Sequence, residues 1–198
     1  MKKLFFTAAL TILVMTLAAC TLRPEVNRVD VDKQVDLSGY WNDTDSRMVA
    51  EDMMKEAISY PWVKEFKAKT GETPKVIIGT IRNKSLEHIN IDTFMNDIQK
   101  ELIKQGTVKF LVAKKEREEV SEEQEYQASN PKIKKKAEGD QLGADFIVQG
   151  EISSILDEAG KLQVRYYQID LEFVNIATHE KVWIGQKKIK KVIRQPGL

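Results

Sequence analysis

The chain has 198 residues, with 31 lysines and arginines against 30 aspartates and glutamates, two histidines and one cysteine, for a formal charge of +1. A balanced charge excludes a protein held to a polyanion by bulk electrostatics. A single cysteine excludes an internal disulfide framework, so stability has to come from an ordinary hydrophobic core.

Lys2 and Lys3 precede an apolar run from Leu4 to Leu17, which ends in Ala18-Ala19 directly before Cys20. Basic n-region, apolar h-region and small-residue cleavage site are the parts of an export signal. The run is too short to cross about 30 Å of hydrocarbon, and no later stretch approaches that length. The reading is a signal peptide over residues 1–19, with Cys20 as the lipid acceptor of a bacterial lipoprotein, anchored to a bilayer through several acyl chains rather than threaded through it. Export also excludes a nucleic-acid partner. Removing residues 1–19 takes Lys2 and Lys3 away and brings the charge from +1 to −1. Residues 20–37 form the lipidated cysteine and a short flexible tether. The 17 residues from Thr21 to Leu37 reach at most about 55 to 60 Å. Residues 38–198 form one globular domain, large enough to bury roughly 70% of its unfolded surface.

Asn42, Asp43 and Thr44 are N-cap residues for a helix running to Ser59. On it Val49, Met53 and Ala57 form one apolar line and Ala50, Met54 and Ile58 the next. Pro61 starts a second helix carrying Trp62, Val63 and Phe66, closed by Gly71. Lys75 to Arg82 is a strand without alternation, expected to be covered on both faces. Asp92 caps a helix with Phe94, Ile98 and Leu102 inward, stopped by Gly106. Val108, Phe110 and Val112 alternate as a second strand.

Lys114 to Gly139 is charged, first acidic and then basic, and reads as two exposed helices broken at Asn130-Pro131. A meander follows. Ala144 to Ile155 is a strand with Phe146, Val148 and Ile152 on one face, and Gly150 marks a bulge or a close neighbour. Asp157 to Gly160 is a turn. Lys161 to Val174 alternates, with Tyr167, Ile169, Leu171 and Phe173 inward and Gln168, Asp170 and Glu172 outward. Asn175 to Glu180 turns again, and Val182 to Ile189 is an edge strand protected by lysines. The order α-α-β-α-β-α-β-β-β describes an α+β domain with a mixed sheet packed with helices.

Catalytic chemistry has little to stand on. His88 and His179 sit in predicted loops without a second ligand at metal-binding spacing. No Gly-x-Ser-x-Gly elbow, phosphate loop or paired carboxylates across a cleft can be read. The residues describe a binding or adaptor module that is no enzyme and needs no cofactor.

Leu37-Ser38-Gly39-Tyr40-Trp41-Asn42-Asp43-Thr44-Asp45, then Ile81 to Ser85 with His88 to Asp92, Leu142 to Ile152, Tyr166-Tyr167 and Val182-Trp183 closely resemble the LpoB family. The resemblance covers residues 37 to 193. It implies a fold like the TolB N-terminal domain and an outer-membrane, periplasm-facing lipoprotein. Such a lipoprotein binds the docking domain of a bifunctional penicillin-binding protein and stimulates peptidoglycan synthesis. Thr21, in place of an aspartate after the cysteine, agrees with outer-membrane sorting. The tether is shorter than the resemblance leads one to expect.

Contact candidates are Tyr40, Trp41, Asn83, His88, Arg165 and Tyr166. Tyr40 and Trp41 have a competing role at the start of the first helix, with the aromatics on the core. Asn83 and His88 have a competing role as turn formers. Arg165 and Tyr166 are of the residue types that anchor interfaces. The alternatives from other classes are a structural or accessory envelope lipoprotein related to curli-type secretion components, and a binding module for glycan fragments.

Overall fold

The computed structural model describes residues 27–30, 33–112, 114–130 and 143–194. The chain falls into two compact units, Met1–Lys33 and Gln34–Leu198, and all the elements below belong to the second. Cys20, the signal peptide and the helix expected after Pro131 lie outside the described residues.

Helix α1 (Asp43–Ser59) starts with a capping box. The Asn42 side chain accepts the Asp45 N–H while Asp45 accepts the Asn42 N–H, both at 3.0 Å. Its two apolar lines are buried as expected, with Val49, Ala50, Met53, Met54 and Ala57 all in the core. Helix α2 (Pro61–Thr70) begins on Pro61 and ends at Gly71, whose φ of 75° is the left-handed geometry that glycine accepts at a helix C-terminus. Strand β1 (Lys75–Lys84) leads to helix α3 (Ile91–Gln105), capped by Asn90 rather than Asp92 and closed by Gly106. Phe94, Ile98 and Leu102 on α3 are fully buried, each stabilising the fold by about 2 kcal/mol.

Strand β2 covers only Lys109–Phe110, not the stretch to Val112. Leu111 still donates its N–H to Val76, but the chain then turns into helix α4 (Lys114–Ser129), so Val112 stays partly exposed. Helix α4 is the first of the two helices expected in the charged stretch. The meander is β3 (Phe146–Ala159), β4 (Leu162–Asn175) and β5 (Lys181–Arg194); β4 lies within one residue of the expected bounds, whereas β3 and β5 are longer than the sequence suggests. The residues expected to turn at Asp157 to Ala159 continue β3, and the reversal is confined to Gly160-Lys161, with Gly160 at φ 58° and Ala159 paired to Leu162.

The sheet order is β2-β1-β3-β4-β5, parallel from β2 to β3 and antiparallel from β3 to β5. Helices α1, α2 and α3 join one face of it in a single core with Phe146, Val148, Ile152, Tyr167, Ile169, Leu171, Phe173 and Trp183. Trp62 stacks on Phe173 at 5.3 Å between ring centroids. The expectation that β1 is covered on both faces is corrected. Ile77 lies on the other face, in a half-buried cross-strand row with Ile147 and Val174. That row accounts for the missing alternation: the sheet supplies apolar neighbours to both sides of β1, and among the described residues helices cover only one.

At Gly150 the close-neighbour alternative is the one that holds; the irregularity nearby belongs to β1, where the register shifts between Ile78 and Ile81 and Gly79 and Thr80 stand against the single residue Gln149. A Cβ at Gly150 would lie 2.0 Å from the Asp170 carbonyl oxygen.

Candidate functional site

The segment from Gln34 to Asn42 lies against β4 and β5 as a strap. Two clusters hold it. The first centres on Glu87, in the loop between β1 and α3. Asn83 orders that loop by accepting the Ser85 N–H at 2.9 Å and donating its amide to the Glu87 carbonyl at 2.9 Å, a side-chain turn that fixes where Glu87 points.

The Glu87 carboxylate then accepts from three donors, one on the strap and two on β4. The Trp41 N–H donates to Oε2 at 3.1 Å, while the Tyr167 hydroxyl and the Arg165 guanidinium donate to Oε1 at 2.5 Å and 3.3 Å. The Gly39 carbonyl lies 3.3 Å from the same hydroxyl. The Arg165 guanidinium covers the Tyr40 ring, 3.7 Å from its centroid. Trp41 packs edge-on against Phe94 and Tyr167, with centroids 5.9 and 5.7 Å apart. Burial, followed by the bond to the Glu87 carboxylate, raises the Tyr167 phenol well above its ordinary value, so it stays a hydrogen-bond donor across the working pH range.

The second cluster centres on Lys191 of β5. Its ammonium donates to Asp45 at 2.6 Å, to Asp36 at 2.9 Å and to the Tyr40 carbonyl at 3.1 Å. Asn42 donates to Asp36 at 2.7 Å. The hydrogen bond from Lys191 is the largest effect on Asp36, which is held down at about 2. Burial outweighs the same partner at Asp45 and raises it. A groove of about 490 Å³ runs between strap and β5, lined among others by Leu37, Met48, Ile189 and Ile193.

The structure therefore brings Tyr40, Trp41 and Arg165 together and attaches Asn83 to them through Glu87. His88 follows Glu87 on the loop, with its side chain exposed. Tyr166 is separate. It lies on the opposite face of the sheet, where its hydroxyl donates to Gln168 at 3.2 Å. Sequence reasoning missed Glu87, whose partners are 46, 78 and 80 residues away and leave no local pattern. It also missed Lys191, which reads as one more lysine on an edge strand. Chemically, these polar groups are engaged with one another and tie strap, loop and sheet into one body.

Helices on one face of a five-stranded mixed sheet, with a polar cluster holding an N-terminal strap, define an α+β domain of two layers. The family model for the peptidoglycan-synthase activator LpoB matches residues 45–189, and the chain belongs to that family. Among solved structures it is similar to the NMR structure of E. coli LpoB, at 12% identity over 89% of this chain and 86% of that one, with a TM-score of 0.42. The LpoB C-terminal domain from Salmonella enterica matches at 13% identity over 70% and 98% of the two chains, with a TM-score of 0.35. Lipoprotein GNA1162 from Neisseria meningitidis matches at 10% identity over 60% and 83%, with a TM-score of 0.38. No curated protein matches the chain. Among the described residues no helix is long and apolar enough to cross a membrane.

Proposed function

We propose that this chain is an outer-membrane lipoprotein that binds and activates a bifunctional peptidoglycan synthase, and that it catalyses nothing itself. The observation that carries the reading is the family match over residues 45–189. Cys20 takes the lipid, and the domain faces the periplasm and docks on a penicillin-binding protein. Activation then needs only tighter binding to the working conformation of the synthase, since a ligand shifts an equilibrium by its differential affinity. Coupling of about 1 to 3 kcal/mol gives roughly 5- to 150-fold.

Among the contact candidates, Trp41, Asn83 and Arg165 are spent on holding strap and loop, whereas Tyr40, His88 and Tyr166 offer surface to a partner. Glycan polymerisation by the organism's bifunctional synthases on lipid-linked substrate, with and without stoichiometric chain, tests the reading. A several-fold faster rate with one synthase is expected. An unchanged rate with every synthase, in the presence of folded protein, would remove the activator assignment and favour a structural envelope role.

A further inference from the structure

The three long strands of the meander run beyond the helical layer, and their far end carries an apolar patch on the face turned away from the helices. Pairing places Ile155, Tyr166 and Lys190 in one cross-strand row and Asp157, Val164 and Val192 in the next. Ile155 is 63% exposed and Val192 59%, between half-buried Tyr166 and Val164. Leu162, 40% exposed, extends the patch to the hairpin end.

The charge around this patch is unlike that of the rest of the sheet. In β1, β4 and β5 the other cations are neutralised internally: Lys75 by Glu72, Arg82 and Lys84 by Glu151, Arg165 by Glu87, Lys181 by Glu172, Lys187 by Asp52, and Lys191 by Asp36 and Asp45. Lys188, Lys190 and Arg194 alternate along the outward side of β5 next to the patch, all exposed, and no ion pair holds them among the described residues. Asp157 is the one carboxylate in the two rows.

We propose that this face is where the domain docks on its synthase, which presents an apolar centre rimmed by carboxylates; the proposal rests on the functional reading above. Rigid branched side chains and a tyrosine at the centre, with cations at the rim, are the anatomy of a protein interface. A lipid surface is the poorer occupant. Polybasic membrane sites use clusters of about 4 to 8 lysines and arginines. Here there are three, and Asp157 and Asp170 share the face.

The test uses the full-length chain in detergent. Binding to the synthase that it activates is measured for wild type, Ile155→Asp, Val192→Asp, Lys190→Glu and the control Ile103→Asp, which places the same charge on an exposed residue of α3. In cells, a photoreactive residue at position 155 is cross-linked. The expected result is at least a tenfold loss of affinity for the three patch variants, with unchanged melting temperatures and an unaffected control, and a synthase adduct at position 155. Patch variants that bind like wild type would overturn the assignment of this face while leaving the activator reading intact. A lipid adduct in place of the synthase adduct would assign the face to the membrane and overturn it. Failure of the wild type to bind any synthase would sink the functional reading, and this face with it.

Discussion

The Tyr167 hydroxyl meets the Glu87 carboxylate at 2.5 Å, joining the middle of β4 to the loop before α3 across 80 residues of sequence. The pair is the point where core and strap become one structure, because Tyr167 also supports Trp41 and Glu87 also holds the Trp41 N–H.

Removing the hydroxyl alone, in Tyr167→Phe, costs about 2 kcal/mol, the worth of a hydrogen bond to a charged group. Glu87→Ala costs more, about 3 kcal/mol, since it leaves the Arg165 guanidinium enclosed without its counter-charge. Urea denaturation of the two single variants and the double variant checks this. Strictly additive losses would show that the pair is not coupled.

Trp41→Ala is expected to cost about 2 to 3 kcal/mol, somewhat below the range for a fully buried tryptophan, because its ring is half-buried against Phe94 and Tyr167. Thermal melting decides between the two roles of this residue. A fall in melting temperature marks it as part of the core, whereas an unchanged melt with weaker partner binding would mark it as a contact.

Gly150→Ala is expected to destabilise by more than about 3 kcal/mol. The added methyl meets the Asp170 backbone oxygen at 2.0 Å, and the central β3–β4 ladder cannot yield as a flexible side chain would. Soluble expression and the denaturation midpoint report the outcome. A near-native midpoint would mean that the register is looser than described.

The strap sets two pH limits. The folded value of Asp36, about 2, is depressed from the ordinary value near 3.9. Its stabilisation is therefore complete above about pH 4 and lost as pH falls through about 2. Asp36→Asn should make the acid limb shallower between those values. Burial alone would lower Lys191, but its bonds to Asp45 and Asp36 outweigh that and raise it. Its contribution is thus complete below about pH 10.4 and lost as pH rises through the folded value. Lys191→Met should flatten the alkaline limb and, by leaving Asp45 buried without its cation, cost about 3 kcal/mol at neutral pH. Melting temperature against pH for the two variants tests both signs.

Local chemistry made most of the elements legible. Asn42 before Asp43, Pro61 at a helix start, Gly71 and Gly106 after helix ends, and the alternation from Tyr167 to Phe173 each act within a few residues, so the element order could be read directly. Lengths were less legible. β2 stops after two residues because the chain leaves its partner strand, and β3 and β5 run on because pairing with β4 continues past the core. Contact candidates were half legible, since aromatic and arginine residues can be named from sequence but not assigned to a face.

By itself the sequence determined the cap of the first helix, the glycine stops of the next two, the inward faces, the need for glycine at position 150 and the family pattern, all properties of short range or of residue type. Only the tertiary structure decided that Glu87 gathers Trp41, Arg165 and Tyr167, that Lys191 fastens Asp36 and Asp45, and that Tyr166 faces away from all of them. Those outcomes depend on strand register and on pairs of residues 46 to 155 positions apart, and a one-residue slip in register would exchange the two faces.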